Sequence, residues 1–208
     1  NATRSGIGNA TQLYLGFGVL FIDFDGDGWP DLLVANGHIQ DDALNRQNGV
    51  RYKQPSLLFR NIGQGQYVEA TNGVGEALGA ESVGRGAAWG DIDNDGHPDL
   101  LLTSNAGSVR LLRNINQTGN HWIKIELQGV RSNRDAIGAR IRVKYGAETQ
   151  EQTVRGSCSY LSSSDRRLIF GLGSATKVDA VEIQWPNGDI QTVPNPKIDQ
   201  SLKIKEKT

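Results

Sequence analysis

Two nine-residue acidic loops constrain this chain more than any other feature of its sequence. They read Asp23-Phe-Asp25-Gly-Asp27-Gly-Trp-Pro-Asp31 (loop 1) and Asp91-Ile-Asp93-Asn-Asp95-Gly-His-Pro-Asp99 (loop 2). Both follow the pattern D-x-D-x-D-G-x-P-D, so each loop packs four carboxylates closely together. Such charges repel one another and raise each other's pKa values. A hard divalent cation removes this conflict, and Ca²⁺ suits it because it accepts about six to eight oxygen ligands in flexible geometry.

The spacing within the loops predicts which atoms would hold the ion. Positions 1, 3 and 5 of a tightly curled loop point inward, position 7 offers a backbone carbonyl, and position 9 closes the cage. Glycine at position 6 allows the chain to turn around the ion. The predicted ligands are Asp23, Asp25, Asp27, Trp29 and Asp31 in loop 1, and Asp91, Asp93, Asp95, His97 and Asp99 in loop 2. We therefore expect two Ca²⁺ sites, because Mg²⁺ prefers fewer carboxylates and retains several waters.

A calcium cage explains these loops better than an EF-hand or a catalytic carboxylate pair does. An EF-hand needs a glutamate at position 12 and flanking helices, whereas position 12 is Val34 in loop 1 and Leu102 in loop 2. The flanking runs are short and apolar, which is typical of buried strands. Four carboxylates repeated twice suit a cage better than an acid and a base. No catalytic residue and no organic cofactor site is predicted.

The loops belong to an internal repeat. Residues 16–23 align with residues 84–91, and Leu58-Phe-Arg60-Asn61 aligns with Leu111-Leu-Arg113-Asn114. The first unit is the longer one, which places an insertion within residues 38–54. On these residues the repeat resembles FG-GAP (VCBS-type) units, the β-propeller blades that carry calcium loops. The resemblance implies the same aspartate ligands and a partial propeller, because about two blades are present where such propellers usually have about seven.

The second half reads as a separate all-β unit. His121–Leu127, Ala139–Tyr145 and Val181–Trp185 alternate with the period of a strand, and further strands are expected in residues 149–155, 167–170, 190–193 and 201–205. This pattern predicts a small antiparallel β-sandwich or barrel. The segment resembles the ASPIC/UnbV domain in Asn133-Arg-Asp-Ala-Ile-Gly-Ala-Arg140, Phe170-Gly-Leu-Gly173 and Val181-Glu-Ile-Gln-Trp-Pro-Asn-Gly188. We therefore divide the chain into units 1–118 and 119–208.

Composition excludes several other classes of protein. A single cysteine, Cys158, rules out an internal disulfide framework. No apolar run approaches the roughly 20 residues that span a bilayer, so no membrane span is expected. The net charge is −1 and the basic residues of the second half are scattered, which gives no support for nucleic-acid binding. The sequence contains no methionine, so residue 1 is expected to follow processing or to lie within a longer chain.

Three residue groups outside the loops are further functional candidates. Cys158 with a histidine could form a thiol nucleophile, although a structural cysteine is the simpler interpretation. Arg134, Asp135, Arg140 and Arg155 could bind an anion or form an ion-pair network, and the network is favoured. Trp89, Trp122 and Trp185 occupy apolar strand positions and are expected in the core rather than on a carbohydrate platform.

These patterns predict a calcium-binding, non-enzymatic module for adhesion, assembly or protein interaction. Calcium-rich surroundings suit it, so an extracellular, cell-surface or periplasmic location is expected. Its partners would be a protein or the remaining propeller blades of a parent chain. The alternatives are a carbohydrate-binding or polysaccharide-active protein that uses Ca²⁺, with a possible glycan ligand, and an accessory subunit of a surface complex or filament.

Overall fold

The structure is a computed structural model that describes residues 4–42 and 49–208. Strands are the main secondary structure of these residues. The expected all-β class is confirmed. The strands are β1 (Gly16–Ile22), β2 (Asp31–Asn36), β3 (Leu57–Asn61), β4 (Tyr67–Glu69), β5 (Gly84–Gly90), β6 (Asp99–Ser104), β7 (Arg110–Leu112), β8 (His121–Gln128), β9 (Arg140–Tyr145), β10 (Glu148–Thr153), β11 (Leu168–Gly173), β12 (Ala180–Gln184), β13 (Ile190–Pro194) and β14 (Gln200–Lys205). Helices α1 (Ile7–Thr11) and α2 (Glu76–Gly79) and a 3-10 turn (Thr71–Gly73) are short.

The two acidic repeats form two separate antiparallel sheets. Their strand orders are β1-β2-β3-β4 and β5-β6-β7. Each acidic loop joins the first two strands of its sheet, and the pairing continues to the loop ends, where Ile22 faces Asp31 and Gly90 faces Asp99. Each loop is therefore the turn of a β-hairpin, as the apolar flanks predict. Residues 43–48, within the predicted insertion, lie outside the described residues.

The two repeat sheets pack face to face. Gly18 of β1 comes so near β5 that a Cβ on it would lie 2.8 Å from Ala87 Cβ. Beside this close approach, Leu33 and Leu58 of the first sheet share a buried core with Ala87 and Leu102 of the second. A single blade cannot bury its faces alone. Packing of the two sheets buries one face of the first sheet. The opposite face of the first sheet, which includes Phe59, packs against α1 and Tyr67.

The second half is a sandwich of two further sheets. Their strand orders are β10-β9-β12-β13 and β11-β8-β14. Alternate residues of β8 and β12 point into a shared core that also contains Phe170 and Trp185. The sandwich departs from a purely antiparallel one, because β14 runs parallel to β8. No hairpin joins β8 to β14: the chain enters β14 by a crossover from β13 of the other sheet, and such connections allow parallel pairing.

The repeat sheets and the sandwich are packed against each other. Trp89 of β5 contacts the cores of both halves. Its backbone N–H donates to Ser164 Oγ at 3.1 Å, and its carbonyl accepts from Asp165 N at 2.9 Å. Because of this shared packing, the division into 1–118 and 119–208 stays a proposal. None of the described helices is long and apolar enough to cross a membrane.

Candidate metal centres

The two acidic loops are curled by the same internal hydrogen bonds. Asp23 accepts the N–H of Asp27 at 3.1 Å and of Gly28 at 2.9 Å. Asp91 accepts the N–H groups of the two matching residues, Asp95 at 3.1 Å and Gly96 at 3.0 Å. The first aspartate of each pattern thus turns the backbone around its own carboxylate. Both position-6 glycines have positive φ, 90° at Gly28 and 88° at Gly96, a conformation in which other residues are strained.

The last aspartate of each loop links the hairpin to the end of the third strand of its sheet, at Asn61 in β3 and at Asn114 just after β7. Asp31 accepts from Phe24 N at 3.1 Å and from Asn61 N at 2.7 Å. Asp99 accepts from Ile92 N at 2.9 Å and from Asn114 N at 2.8 Å. Both carboxylates are almost completely buried. The position-9 aspartates therefore hold loop geometry directly, in addition to any role as ligands.

Each loop gathers three carboxylates that could bind one ion. They are Asp23, Asp25 and Asp27 in loop 1 and Asp91, Asp93 and Asp99 in loop 2, and within each group one oxygen per residue lies within 4.8 Å of the others. An all-oxygen, strongly anionic donor set fits Ca²⁺. Asp31 and Asp95 lie outside these groups, and Asp95 accepts the N–H of His97 at 2.9 Å. The roles of Asp31 and Asp95, and of the Trp29 and His97 carbonyls, stay predictions.

Burial makes loop 1 costly to ionise without a cation. Desolvation, and then the charges of Asp27 and Asp25, raises the pKa of Asp23 to about 7, although the Gly28 N–H opposes the shift. Desolvation also raises the pKa of Asp31 to about 7, against the N–H groups of Asn61 and Phe24. The pKa of Asp25 is raised by desolvation and by Asp27. A bound cation would favour the ionised form of all three carboxylates.

A repeated arginine contacts the position-3 aspartate of each loop. Arg60 of β3 approaches Asp25 at 2.6 Å and Asp27 at 3.2 Å. Arg113, the aligned residue after β7, approaches Asp93 at 2.5 Å. The ligand prediction did not include these arginines, although their alignment in the two Leu-x-Arg-Asn stretches was a usable signal. They lie at the rim of each carboxylate group and are largely exposed.

The sandwich covers loop 1 mainly with uncharged groups. Gly171 of β11 packs so tightly that a Cβ there would lie 2.0 Å from Asp23 Oδ2. The carbonyl of Gly26 accepts from Gly173 N at 2.9 Å, and the carbonyl of Asp25 accepts from Asn120 Nδ2 at 2.9 Å. Loop 1 is therefore packed between its own sheet and the sandwich.

Loop 2 receives charged groups from the sandwich instead. Lys124 Nζ of β8 lies 2.6 Å from Asp91 Oδ2, and both side chains are completely buried. Arg167 donates to Asn94 Oδ1 at 2.8 Å and to the Asp91 carbonyl at 3.1 Å. Sequence reasoning missed Lys124, because strand alternation places its side chain opposite the buried Ile123 and Ile125, on the face expected in solvent.

The candidate residues outside the loops take structural positions. The Cys158 thiol donates to Ser164 Oγ at 3.0 Å, so its hydrogen-bond partner is a serine and not a histidine. Asp135 pairs with Arg166, which was outside the expected arginine cluster. Trp185 is buried in the sandwich core, as expected, and Trp89 packs between the two halves. Trp122 lies against Gly96 of loop 2.

The fold and the loops define a class of β proteins with acidic hairpin loops in stacked repeats, followed by a sandwich. Sequence profiles agree: the FG-GAP-like repeat matches residues 23–102, and the family described as ASPIC and UnbV matches residues 129–208. These two matches lie in the order that the sequence predicts, an FG-GAP-like repeat followed by an ASPIC/UnbV segment.

Three curated relatives carry the name cartilage acidic protein 1. The human and mouse proteins are each 28% identical over 179 residues, which is 82% of this chain and 25% of each relative. The Xenopus tropicalis protein is 28% identical over 157 residues, 70% of this chain and 23% of the relative. The chain thus spans about a quarter of the length of the curated relatives it matches.

Proposed function

We propose that this chain is a calcium-stabilised interaction module of an extracellular, cell-surface or periplasmic protein, without enzymatic activity. One observation carries the proposal: two loops with the same backbone hydrogen bonds each gather three carboxylate oxygens where the repeat sheets meet the sandwich. A Ca²⁺ ion in each loop would neutralise the buried charge and fix the end of the hairpin. Metal binding then contributes to the free energy of folding.

A non-enzymatic role agrees with the family, whose members are generally not enzymes. Within the part of the chain that the structure describes, the Cys158 thiol bonds to Ser164 and not to a histidine. Among the strand tryptophans that a carbohydrate platform could use, Trp185 lies in the core and Trp89 is packed between the halves. An interaction module is therefore the better-supported function.

Calcium removal tests the structural role of the ion. In excess EGTA the melting temperature should fall clearly, and added Ca²⁺ should restore it, because the buried carboxylates lose their counter-charge. The variants Asp25→Asn and Asp93→Asn should each lose part of the Ca²⁺-dependent rise. Glu81→Gln removes an exposed carboxylate of the repeat half and is the matched control. A melting temperature that does not change between EGTA and Ca²⁺ would contradict the proposal.

The outer face of the second repeat sheet is the proposed docking surface. Leu33 and Leu58 are paired in the first sheet and are 0% and 2% exposed, because the second sheet covers them. Their aligned counterparts, Leu101 and Leu111, are also paired but are 40% and 57% exposed. In the first sheet, the second repeat sheet covers the equivalent face. We therefore propose that a further sheet of the same repeat type docks on this face of the second sheet.

Sedimentation velocity tests this docking surface. In the isolated chain only a second copy can supply such a sheet, so we expect association that increases with protein concentration. The double variant Leu101→Glu, Leu111→Glu should sediment as a monomer. Ile190→Glu changes an even more exposed apolar residue, on the sandwich, and should behave like the wild type. A wild-type chain that stays monomeric at every concentration would contradict docking between copies.

A further inference from the structure

Lys124 is the most unusual charged residue among those the structure describes. Its side chain is 0% exposed, although it lies on the face of β8 opposite the sandwich core. The ammonium nitrogen lies 2.6 Å from Asp91 Oδ2 and 3.0 Å from Asn94 Oδ1, both in loop 2. A buried ammonium is costly unless it is paired and hydrogen-bonded. Here loop 2 supplies both acceptors, so the lysine and the loop satisfy each other.

Among the described residues, loop 1 has no equivalent of this lysine. Asp23, which matches Asp91, accepts hydrogen bonds from two backbone N–H groups. Across residues 4–42 and 49–208, no lysine or arginine side chain forms an ion pair with Asp23. The arginines Arg60 and Arg113 do not create the difference, because both loops have one at the same aligned position. The difference in charge between the loops therefore comes from the sandwich.

We propose that Lys124 is a built-in counter-cation of loop 2, which makes the two calcium sites unequal. The inference rests on the proposed calcium binding. An ammonium that contacts a ligand carboxylate repels a divalent ion in the same loop, and the repulsion is strong where water is excluded. Asp91 keeps enough acceptor capacity to bind an ion as well, because a carboxylate offers about four lone-pair sites. Loop 2 thus binds Ca²⁺ more weakly than loop 1 and depends less on it for its shape.

The lysine also joins the two halves of the chain at loop 2. β8 belongs to the sandwich, whereas Asp91 follows β5 of the second repeat sheet. Arg167 supports the same junction through the Asp91 carbonyl and Asn94. Loop 2 is thereby anchored to the sandwich without a metal ion, while the contacts of loop 1 with the sandwich are made by backbone and amide groups. The sandwich acts as the source of the counter-charge.

A calcium titration of the full chain by calorimetry tests the role of Lys124. The wild type should show two sites whose dissociation constants differ at least tenfold, and Asp25→Asn should remove the tight site while Asp93→Asn removes the weak one. Lys124→Met should tighten the weak site about tenfold or more and leave the tight one unchanged. Lys203→Met is the matched control, because Lys203 of β14 forms an ion pair with Glu126 of β8 at the protein surface.

Thermal melting keeps the test decisive if Lys124→Met is poorly folded without Ca²⁺. In that case its rise in melting temperature between EGTA and saturating Ca²⁺ should exceed that of the wild type and of Lys203→Met, while Lys124→Arg should match the wild type. Two sites of equal affinity that Lys124→Met leaves unchanged would overturn the role of Lys124 alone. No Ca²⁺ binding at either loop would overturn the proposed function and this inference with it.

Discussion

Loops 1 and 2 share one sequence pattern but have different surroundings. The backbone hydrogen bonds that their first and last aspartates accept match residue by residue. Their outer contacts differ, because Gly171 packs on Asp23 of loop 1 whereas the ammonium of Lys124 reaches Asp91 of loop 2. The comparison teaches that a short repeated pattern determines the shape of a metal loop. The rest of the fold determines how much positive charge the loop still needs.

The largest expected effect comes from removing a position-9 carboxylate. Asp31→Ala leaves the N–H groups of Phe24 and Asn61 without their acceptor, and each buried unsatisfied donor costs about 1–3 kcal/mol. Urea unfolding in EGTA should therefore show a loss of about 2–6 kcal/mol. Asp99→Ala should cost about as much, because Asp99 makes the same two bonds.

Asp31→Asn is the control for these variants. It keeps one carbonyl oxygen and should cost less than Asp31→Ala. If Asp31→Ala and Asp99→Ala both changed stability by less than the control, the shared architecture of the two loops would be disproved.

Substitution of the position-6 glycine should destabilise the two loops to different extents. An alanine at positive φ costs about 1–2 kcal/mol in either loop. At Gly96 the new Cβ would also lie 2.0 Å from the Trp122 ring, whereas at Gly28 it would lie 2.9 Å from the movable end of Gln150. Overpacking adds about 1–3 kcal/mol. Chemical denaturation should thus find Gly96→Ala more destabilising than Gly28→Ala, and the reverse order would refute the packing of loop 2 on Trp122.

The pH dependence of the metal-free protein should be a property of loop 1. The folded state raises the pKa values of Asp23 and Asp31 from 3.8 to about 7, so it binds more protons than the unfolded chain between these values. Stability in EGTA should therefore fall as the pH rises from about 4 to about 7.

Urea midpoints at pH 5 and pH 8 measure this fall. Asp23→Asn should reduce the difference between the two pH values, and saturating Ca²⁺ should abolish it. A metal-free wild type that is more stable at pH 8 than at pH 5 would speak against the burial of these carboxylates.

The smallest effect is expected for the repeated arginines. Exposed ion pairs contribute about 0–1 kcal/mol, and Arg113 is 66% exposed against 48% for Arg60. Arg60→Gln should therefore cost slightly more than Arg113→Gln in EGTA at low salt. Both variants should bind Ca²⁺ slightly more tightly, because a competing positive charge is gone. Weaker calcium binding in both would identify the arginines as supports of the loops.

Much of the fold could be predicted from the sequence because the signals were local. The strand on each side of a loop is a short apolar run, and β8, β9 and β12 alternate with period two. The parallel pairing of β14 with β8 depends on a crossover between sheets, which no local pattern encodes.

The residues of the candidate site could likewise be predicted only in part. The aspartates follow from their spacing, and the aligned Arg60 and Arg113 could have been found by comparing the repeats. Lys124 could not, because alternation within β8 places it in solvent until loop 2 packs over that face of the sheet. Contacts between the two halves of the chain are beyond local sequence reasoning.

Counting bound calcium tests the central claim most directly. Equilibrium dialysis against about 10 mM Ca²⁺, roughly tenfold above the weakest dissociation constants of extracellular modules, can be followed by elemental analysis of the protein. Two ions per chain are expected for the wild type and for Glu81→Gln, and one ion for Asp25→Asn and for Asp93→Asn. A wild type that binds no calcium, or a count that neither aspartate variant lowers, would contradict the assignment of the two loops.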